Sequence, residues 1–187
     1  MSLEDLYREI ILDHYRNPRN RGDLPSPPAL RMEGFNPLCG DEVVLYVDVE
    51  DGDRVNDIRI SGQGCSISQS SASMMSAAVK GRTAAEARGL IRAFKAMMSI
   101  HEHRLDGDGR EVAEVVAPDP EIKLGDLEAL RGVVKFPVRI KCATLSWNTL
   151  AQALDEAQST WAQSTWAQST RANPGQGPSP SNEVEGA

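Results

Sequence analysis

The 187-residue chain has no apolar run approaching the ~20 residues that a membrane-spanning helix needs. It also lacks a basic leader: Met1-Ser2-Leu3-Glu4-Asp5 places acids where a signal peptide carries Lys or Arg, so a cytoplasmic protein with no membrane partner is expected. A basic stripe is missing too. The 20 Lys and Arg are scattered among 27 Asp and Glu and the formal charge is −7, which excludes the electrostatic footprint of a nucleic-acid-binding protein. A protein partner or a metal cation suits this balance better. Aromatics make up only 5% of the chain; a core short of large rings has less area to bury, and a bound metal would supply stability that the core does not. Cysteine is limited to three residues, with no Cys-x-x-Cys pair. Three thiols cannot all pair with one another, and in a reducing compartment an odd, well-separated set favours metal binding or thiol chemistry over disulfides. Three buried structural thiols are the alternative.

What the chain does contain is the 40% apolar and 25% charged composition of an ordinary globular domain. One domain over residues 1–157 is expected, followed by a low-complexity, disordered tail over 158–187. Leu3, Leu6, Tyr7, Ile10, Ile11 and His14 recur at helical spacing behind a Ser2 cap, and Asn17-Pro18 ends the pattern. After a loop rich in Pro and Gly, Leu30 to Gly34, Val43 to Val49 and Val55 to Ser61 read as strands, the last two joined by the turn Asp51-Gly52-Asp53. They predict a three-stranded antiparallel sheet with one face packed on helices, an α+β fold. From Ser66 to Lys80-Gly81 small and apolar residues recur at helical intervals, and Thr83-Ala84-Ala85-Glu86 is a capping box for a helix to about Ser99. Residues 100–120 read as a charged insertion. A short helix around Leu124 to Leu130, strand-like Val138 to Ile140, and a last helix from about Cys142 to Ala157 complete the domain. In the tail, WAQST occurs twice, at Trp161 and Trp166. A period of five residues rotates successive copies by about 140° around a helix, so the two tryptophans cannot share one buried stripe.

Each cysteine sits in a context that exposes its sulfur. In Asn36-Pro37-Leu38-Cys39-Gly40-Asp41, Pro and Gly bracket a turn from which Cys39 and Asp41 can face one point. In Gly62-Gln63-Gly64-Cys65-Ser66, glycines allow close backbone approach just before a helix. Cys142 is expected to open the last helix in the same way, and a thiol at a helix N-terminus has its pKa lowered toward the thiolate. Three thiols and a carboxylate match a four-coordinate site for a soft divalent ion, zinc above all. Three thiolates and one carboxylate around a dication leave a net charge of −2, which Arg139 and Lys141 are placed to offset. His101-x-His103 is a competing ligand pair with no cysteine nearby, and surface histidines are its simpler reading.

The segments DLYREIILDHYRNPRNRG, NPLCGDEV, GQGCSISQSSASMM and FPVRIKCATLSW resemble, in order and context, the SufU-type branch of the IscU/NifU-like iron–sulfur cluster assembly proteins, over about Leu3 to Ala157. The resemblance implies zinc held by Cys39, Asp41, Cys65 and Cys142, with Cys39 the acceptor of persulfide sulfur from a SufS-type cysteine desulfurase, and Asp41 a labile ligand. It implies downstream SUF cluster-assembly proteins as further partners. A scaffold carrying a [2Fe–2S] cluster on the same residues, or a purely structural zinc module, are the alternative roles. IscU-type scaffolds have a histidine immediately before the third cysteine and a Pro-Pro-Val-Lys chaperone motif; here Lys141 precedes Cys142 and Val133-Val134-Lys135-Phe136-Pro137 stands upstream. Both departures point to the SufU type.

Overall fold

The structure, a computed structural model, describes residues 2–99 and 122–172, with side chains as far as residue 163. The charged insertion expected at 100–120, with His101 and His103, and the tail from residue 173 lie outside the described residues. Helix α1 (Leu3–Arg16) starts on a capping box: the Ser2 hydroxyl accepts the Asp5 N–H at 3.2 Å, and the Asp5 carboxylate accepts the Ser2 N–H at 3.0 Å. Tyr7, Ile10 and Ile11 pack against the core, whereas Leu3 and Leu6 of the same apolar stripe stay exposed.

Strands β1 (Leu30–Asn36), β2 (Asp41–Glu50) and β3 (Arg54–Gln63) form one antiparallel sheet in the order β1-β2-β3. Alternation drives its inner face: Val43, Leu45 and Val47 of β2 are 0–1% exposed. On β3 the buried residues are Val55, Ile58 and Ile60, and the three-residue step from 55 to 58 breaks the alternation. A register shift explains it, since Asp48 pairs with Asp57 but Val49 pairs with Val55, leaving Asn56 as the extra residue of a bulge.

Helices α2 (Ser66–Val79) and α3 (Ala84–Ser99), a tight 3₁₀ run (Gly125–Lys135) and the long helix α4 (Pro137–Ala172) complete the described chain. Phe94 of α3 stacks on Trp147 of α4 with ring centroids 4.5 Å apart. Helix α4 lies on β1 at Gly34, where a Cβ would come 2.2 Å from Thr149 Oγ1 and 3.2 Å from Leu145 Cδ1; any larger residue would lift the helix off the sheet.

Two boundaries differ from those expected. Val138 to Ile140 are helical, because Pro137 occupies the first position of α4, where proline's missing N–H costs nothing and its fixed φ suits a helix; Cys142 therefore lies in the second turn instead of opening the helix. The same helix continues to Ala172, so residues 158–172, expected to belong to an unstructured tail, are helical. Trp161 reaches the β2–β3 turn: a Cβ on Gly52 would meet its Cβ at 2.9 Å and its Cγ at 2.8 Å.

Asp57 ties β3 to the end of α2 through Lys80 Nζ at 2.7 Å and to its neighbour Arg59 at 3.2 Å. Partial burial opposes its ionisation, but Lys80, the Ile58 N–H and Arg59 outweigh that and hold the carboxyl below its ordinary value. A lowered folded-state pKa confers stability that is present above about pH 4 and lost as the pH falls through the folded value. Asp57→Asn is expected to lower the unfolding free energy by about 0.5–1 kcal/mol at pH 7 and to flatten the acid side of the stability profile, measured by urea unfolding between pH 3 and 7. An unchanged profile would show that the Lys80 contact carries no net stability.

Candidate metal centre

Three elements bring the cysteines to one end of the sheet. The β1–β2 hairpin closes with Asn36 paired to Asp41, and residues 37–40 form its tip. Two backbone donors, Cys39 N–H at 3.3 Å and Gly40 N–H at 2.9 Å, converge on the Asn36 carbonyl and shape that tip around Cys39. Asp41 is the first residue of β2 and is fully buried. Cys65 is the N-cap of α2, and its sulfur accepts the Ser68 N–H at 3.4 Å, the contact a capping oxygen would normally make. Cys142 is fully buried on α4.

The donor atoms of Cys39, Asp41 and Cys142 all lie within 4.8 Å of one another. Cys65 joins them through Asp41: its backbone N–H donates to Asp41 Oδ1 at 2.8 Å, and its sulfur lies 3.9 Å from Asp41 Oδ2. The Cys142 and Cys39 sulfurs are 3.2 Å apart. Tetrahedral zinc with Zn–S bonds of about 2.3 Å separates its sulfurs by about 3.8 Å, so the Cys39–Cys142 pair stands within about 1 Å of ligand spacing, while Cys65 is not among the donors that share the 4.8 Å limit. Three soft donors and one carboxylate, mostly shielded from water, fit a soft divalent ion.

Electrostatics lead the same way. Burial pushes the Cys142 thiol well above its ordinary value, and the neighbouring Asp41 and Cys39 push in the same direction. This reverses the expectation of a thiol activated by a helix N-terminus: one turn further into α4, Cys142 is beyond the positive end of the dipole and is governed by desolvation. Positive charge beside the thiols would favour their ionised form. Arg139 supplies part of that charge, with Nη1 3.8 Å from Cys39 Sγ. Its guanidinium pKa is raised by Cys142 first, then by Cys65 and Cys39. Lys141, expected to share this role, is exposed.

Asn36 belongs to the centre although its residue type does not announce it. It is 5% exposed, and its Nδ2 lies 3.5 Å from both Asp41 Oδ2 and Cys142 Sγ, while its Oδ1 accepts the Leu38 N–H at 3.2 Å. It therefore orients two donors and the hairpin tip at once. Behind Cys142, Ser71 accepts the Trp147 indole N–H at 3.2 Å and donates to the Ala143 carbonyl at 2.6 Å, bracing the turn that carries the cysteine. The position of Asp41 also depends on Gly64, where a Cβ would lie 2.6 Å from Asp41 Oδ1 and 3.0 Å from Asp41 Cβ. Gly64→Ala is expected to displace the carboxylate and weaken metal binding by about 10- to 100-fold in chelator competition. Unchanged affinity would mean that Asp41 contributes nothing to holding the ion.

With this geometry in view, the family model described as the NifU-like N-terminal domain matches residues 6–143. The chain belongs to that family. It is 44% identical over 153 residues to the zinc-dependent sulfurtransferase SufU of Bacillus subtilis, spanning 82% of this chain and 92% of that protein. It is 37% identical over 152 residues to the iron–sulfur cluster assembly scaffold protein IscU of Streptococcus pyogenes, spanning 81% and 84%. Among solved structures, a candidate iron–sulfur cluster assembly scaffold for the SUF system of Fervidobacterium islandicum superposes with a TM-score of 0.61 at 32% identity, over 82% of this chain and 99% of that one. As a SufU-type member of the NifU-like family, the chain has the expected α+β fold with its three-stranded sheet. No helix among the described residues is long and apolar enough to cross a membrane.

Proposed function

We propose that the protein is a zinc-dependent sulfur acceptor of iron–sulfur cluster assembly, with Cys39 as acceptor and Cys39, Asp41, Cys65 and Cys142 as the metal ligands. The observation that carries the reading is the convergence of three donors within 4.8 Å, with Cys65 tied to them through Asp41, on a chain 44% identical to a zinc-dependent sulfurtransferase. When bound, zinc keeps the sulfurs deprotonated yet coordinated, which restrains their nucleophilicity until a ligand exchanges.

The protein's own residues do the rest. Cys142 is buried and Cys65, though half-buried, caps α2; Cys39 is the half-buried thiol at a hairpin tip, within reach of a second protein. Its sulfur attacks the outer sulfur of a donor persulfide; the new Cys39–sulfur bond forms as the donor's S–S bond breaks, and the donor leaves as a thiolate. Arg139, at 3.8 Å, holds positive charge beside the attacking and newly persulfidated sulfur. Asp41 is the hardest donor of the set and the one whose exchange costs the site least. Exposed Phe35, Leu38, Phe136 and Val138 near the site in sequence offer an apolar rim for docking. The donor is a SufS-type cysteine desulfurase, and later SUF proteins, in the cytoplasm, receive the sulfur.

The test combines elemental analysis with desulfurase activation. Colourless protein with one zinc per chain, stimulating a pyridoxal-phosphate cysteine desulfurase and gaining sulfur on Cys39, is the expected result. A brown iron form without stimulation would favour a [2Fe–2S] scaffold instead. Zinc binding with neither stimulation nor added sulfur would leave only a structural module.

A further inference from the structure

The sulfur that receives the persulfide has a second thiol directly behind it. Cys142 Sγ lies 3.2 Å from Cys39 Sγ, on a buried helix turn braced by Ser71 and Trp147, while Cys39 sits on the hairpin tip. Cys65 is placed differently: its sulfur faces Asp41 Oδ2 at 3.9 Å and the Ser68 N–H at 3.4 Å, and it is not among the donors that lie within 4.8 Å of one another. Cys142 thus addresses the inner sulfur of any persulfide formed on Cys39, and an S–S bond of about 2.05 Å needs a closure of only about 1.2 Å.

We propose that in the metal-free chain Cys142 resolves the Cys39 persulfide, discharging its outer sulfur as hydrosulfide and leaving a Cys39–Cys142 disulfide. The proposal rests on the reading of Cys39 as sulfur acceptor. A Cys142 Sγ–Cys39 Sγ bond forms and the bond from Cys39 Sγ to the outer sulfur breaks. The outer sulfur departs with that electron pair and takes the Cys142 thiol proton, so a persulfide anion and a thiol become a disulfide and hydrosulfide. The sulfane sulfur is reduced, the two cysteines are oxidised, and a low-molecular-weight thiol restores the dithiol for another round. Arg139 stands beside the breaking bond and favours the departing anion. Engagement of Cys142 by a metal ion removes the resolving thiol. Metal loading would then decide whether the chain delivers its sulfur intact or releases it as sulfide.

The experiment uses the full chain, charged anaerobically with desulfurase and cysteine in the presence of zinc, desalted, kept zinc-loaded or made metal-free with chelator, and left without thiols. Sulfide is measured, and intact mass and disulfide mapping are recorded for wild type, Cys142→Ser and Cys39→Ser. The metal-free wild type should release one sulfide per chain and acquire a Cys39–Cys142 disulfide. Cys142→Ser and the zinc-loaded wild type should keep the added sulfur on Cys39, with sulfide release lost to the Cys39→Ser background. Metal-free wild type that retains its sulfur as long as Cys142→Ser does, or a disulfide joining any other pair, overturns the proposal while leaving the acceptor reading intact. Absence of added sulfur on Cys39 in the zinc-loaded wild type overturns both. Should Cys142→Ser fold poorly, the wild-type disulfide map with and without zinc decides the matter alone.

Discussion

Replacing Cys142 with serine should strip the protein of zinc and lower its melting temperature by roughly 10 °C. The side chain is fully buried and faces Cys39, Asp41 and Asn36, so a hydroxyl there removes a soft ligand from the interior of the site rather than from its rim. The magnitude follows from mass action: free metal at about a thousand times its dissociation constant stabilises the folded state by about 4 kcal/mol, and each kcal/mol shifts the midpoint of a domain this size by about 2–4 °C. Zinc-finger peptides gain on the order of 10 kcal/mol because they have no fold without metal. Here the core of β2, β3 and the helices, from Leu45 and Ile58 to Phe94 and Leu150, closes independently of the thiols, so the metal-free chain should remain folded at reduced stability. Differential scanning calorimetry of wild type with and without chelator, beside Cys142→Ser, checks this. A midpoint indifferent to both chelator and substitution would contradict a stabilising metal.

Cys39→Ser should behave in the opposite sense, with sulfur transfer abolished and the fold kept. Cys39 lies on the hairpin tip, and its local hydrogen bonds run through its backbone N–H to the Asn36 carbonyl, which serine preserves. Buried Asp41 and Cys142, and Cys65 at the α2 N-cap, are untouched. Serine's oxygen is a far weaker nucleophile toward sulfane sulfur than a thiolate, so desulfurase turnover should fall to its rate without an acceptor. Mass spectrometry after incubation with desulfurase and cysteine should find no added sulfur. Sulfur found instead on Cys65 or Cys142, or wild-type stimulation by Cys39→Ser, would remove Cys39 from its role.

Much of the fold was legible because its signals are local. The Ser2 cap, the Thr83 capping box and the alternation of β2 each bind neighbours a few residues apart, and each reappears in the structure. Cys39 and Cys65 stood out through their Gly- and Pro-marked turns. What escaped depends on contacts distant in sequence. Val138 to Ile140 carry β-branched residues that favour strands in isolation, yet packing of α4 on β1 and β2 extends the helix back to Pro137. That shift of one helical turn moved Cys142 from an activated N-terminus to a desolvated interior and reversed the direction of its pKa. Asn36 was visible within its motif, but its part in orienting Asp41 and Cys142 requires a helix 106 positions away. Period-five spacing in the WAQST repeat argued against a common stripe for the tryptophans, but denial of a shared face is not denial of helix, and the backbone to Ala172 is helical.

X-ray absorption at the zinc edge of the purified full chain bears most directly on whether four side chains share one ion. The arrangement predicts about three sulfurs at about 2.3 Å and one oxygen at about 2.0 Å, with one sulfur lost in Cys65→Ser and in Cys142→Ser whenever metal is retained. A shell of nitrogen and oxygen alone, or a sulfur count unchanged by those substitutions, would contradict it.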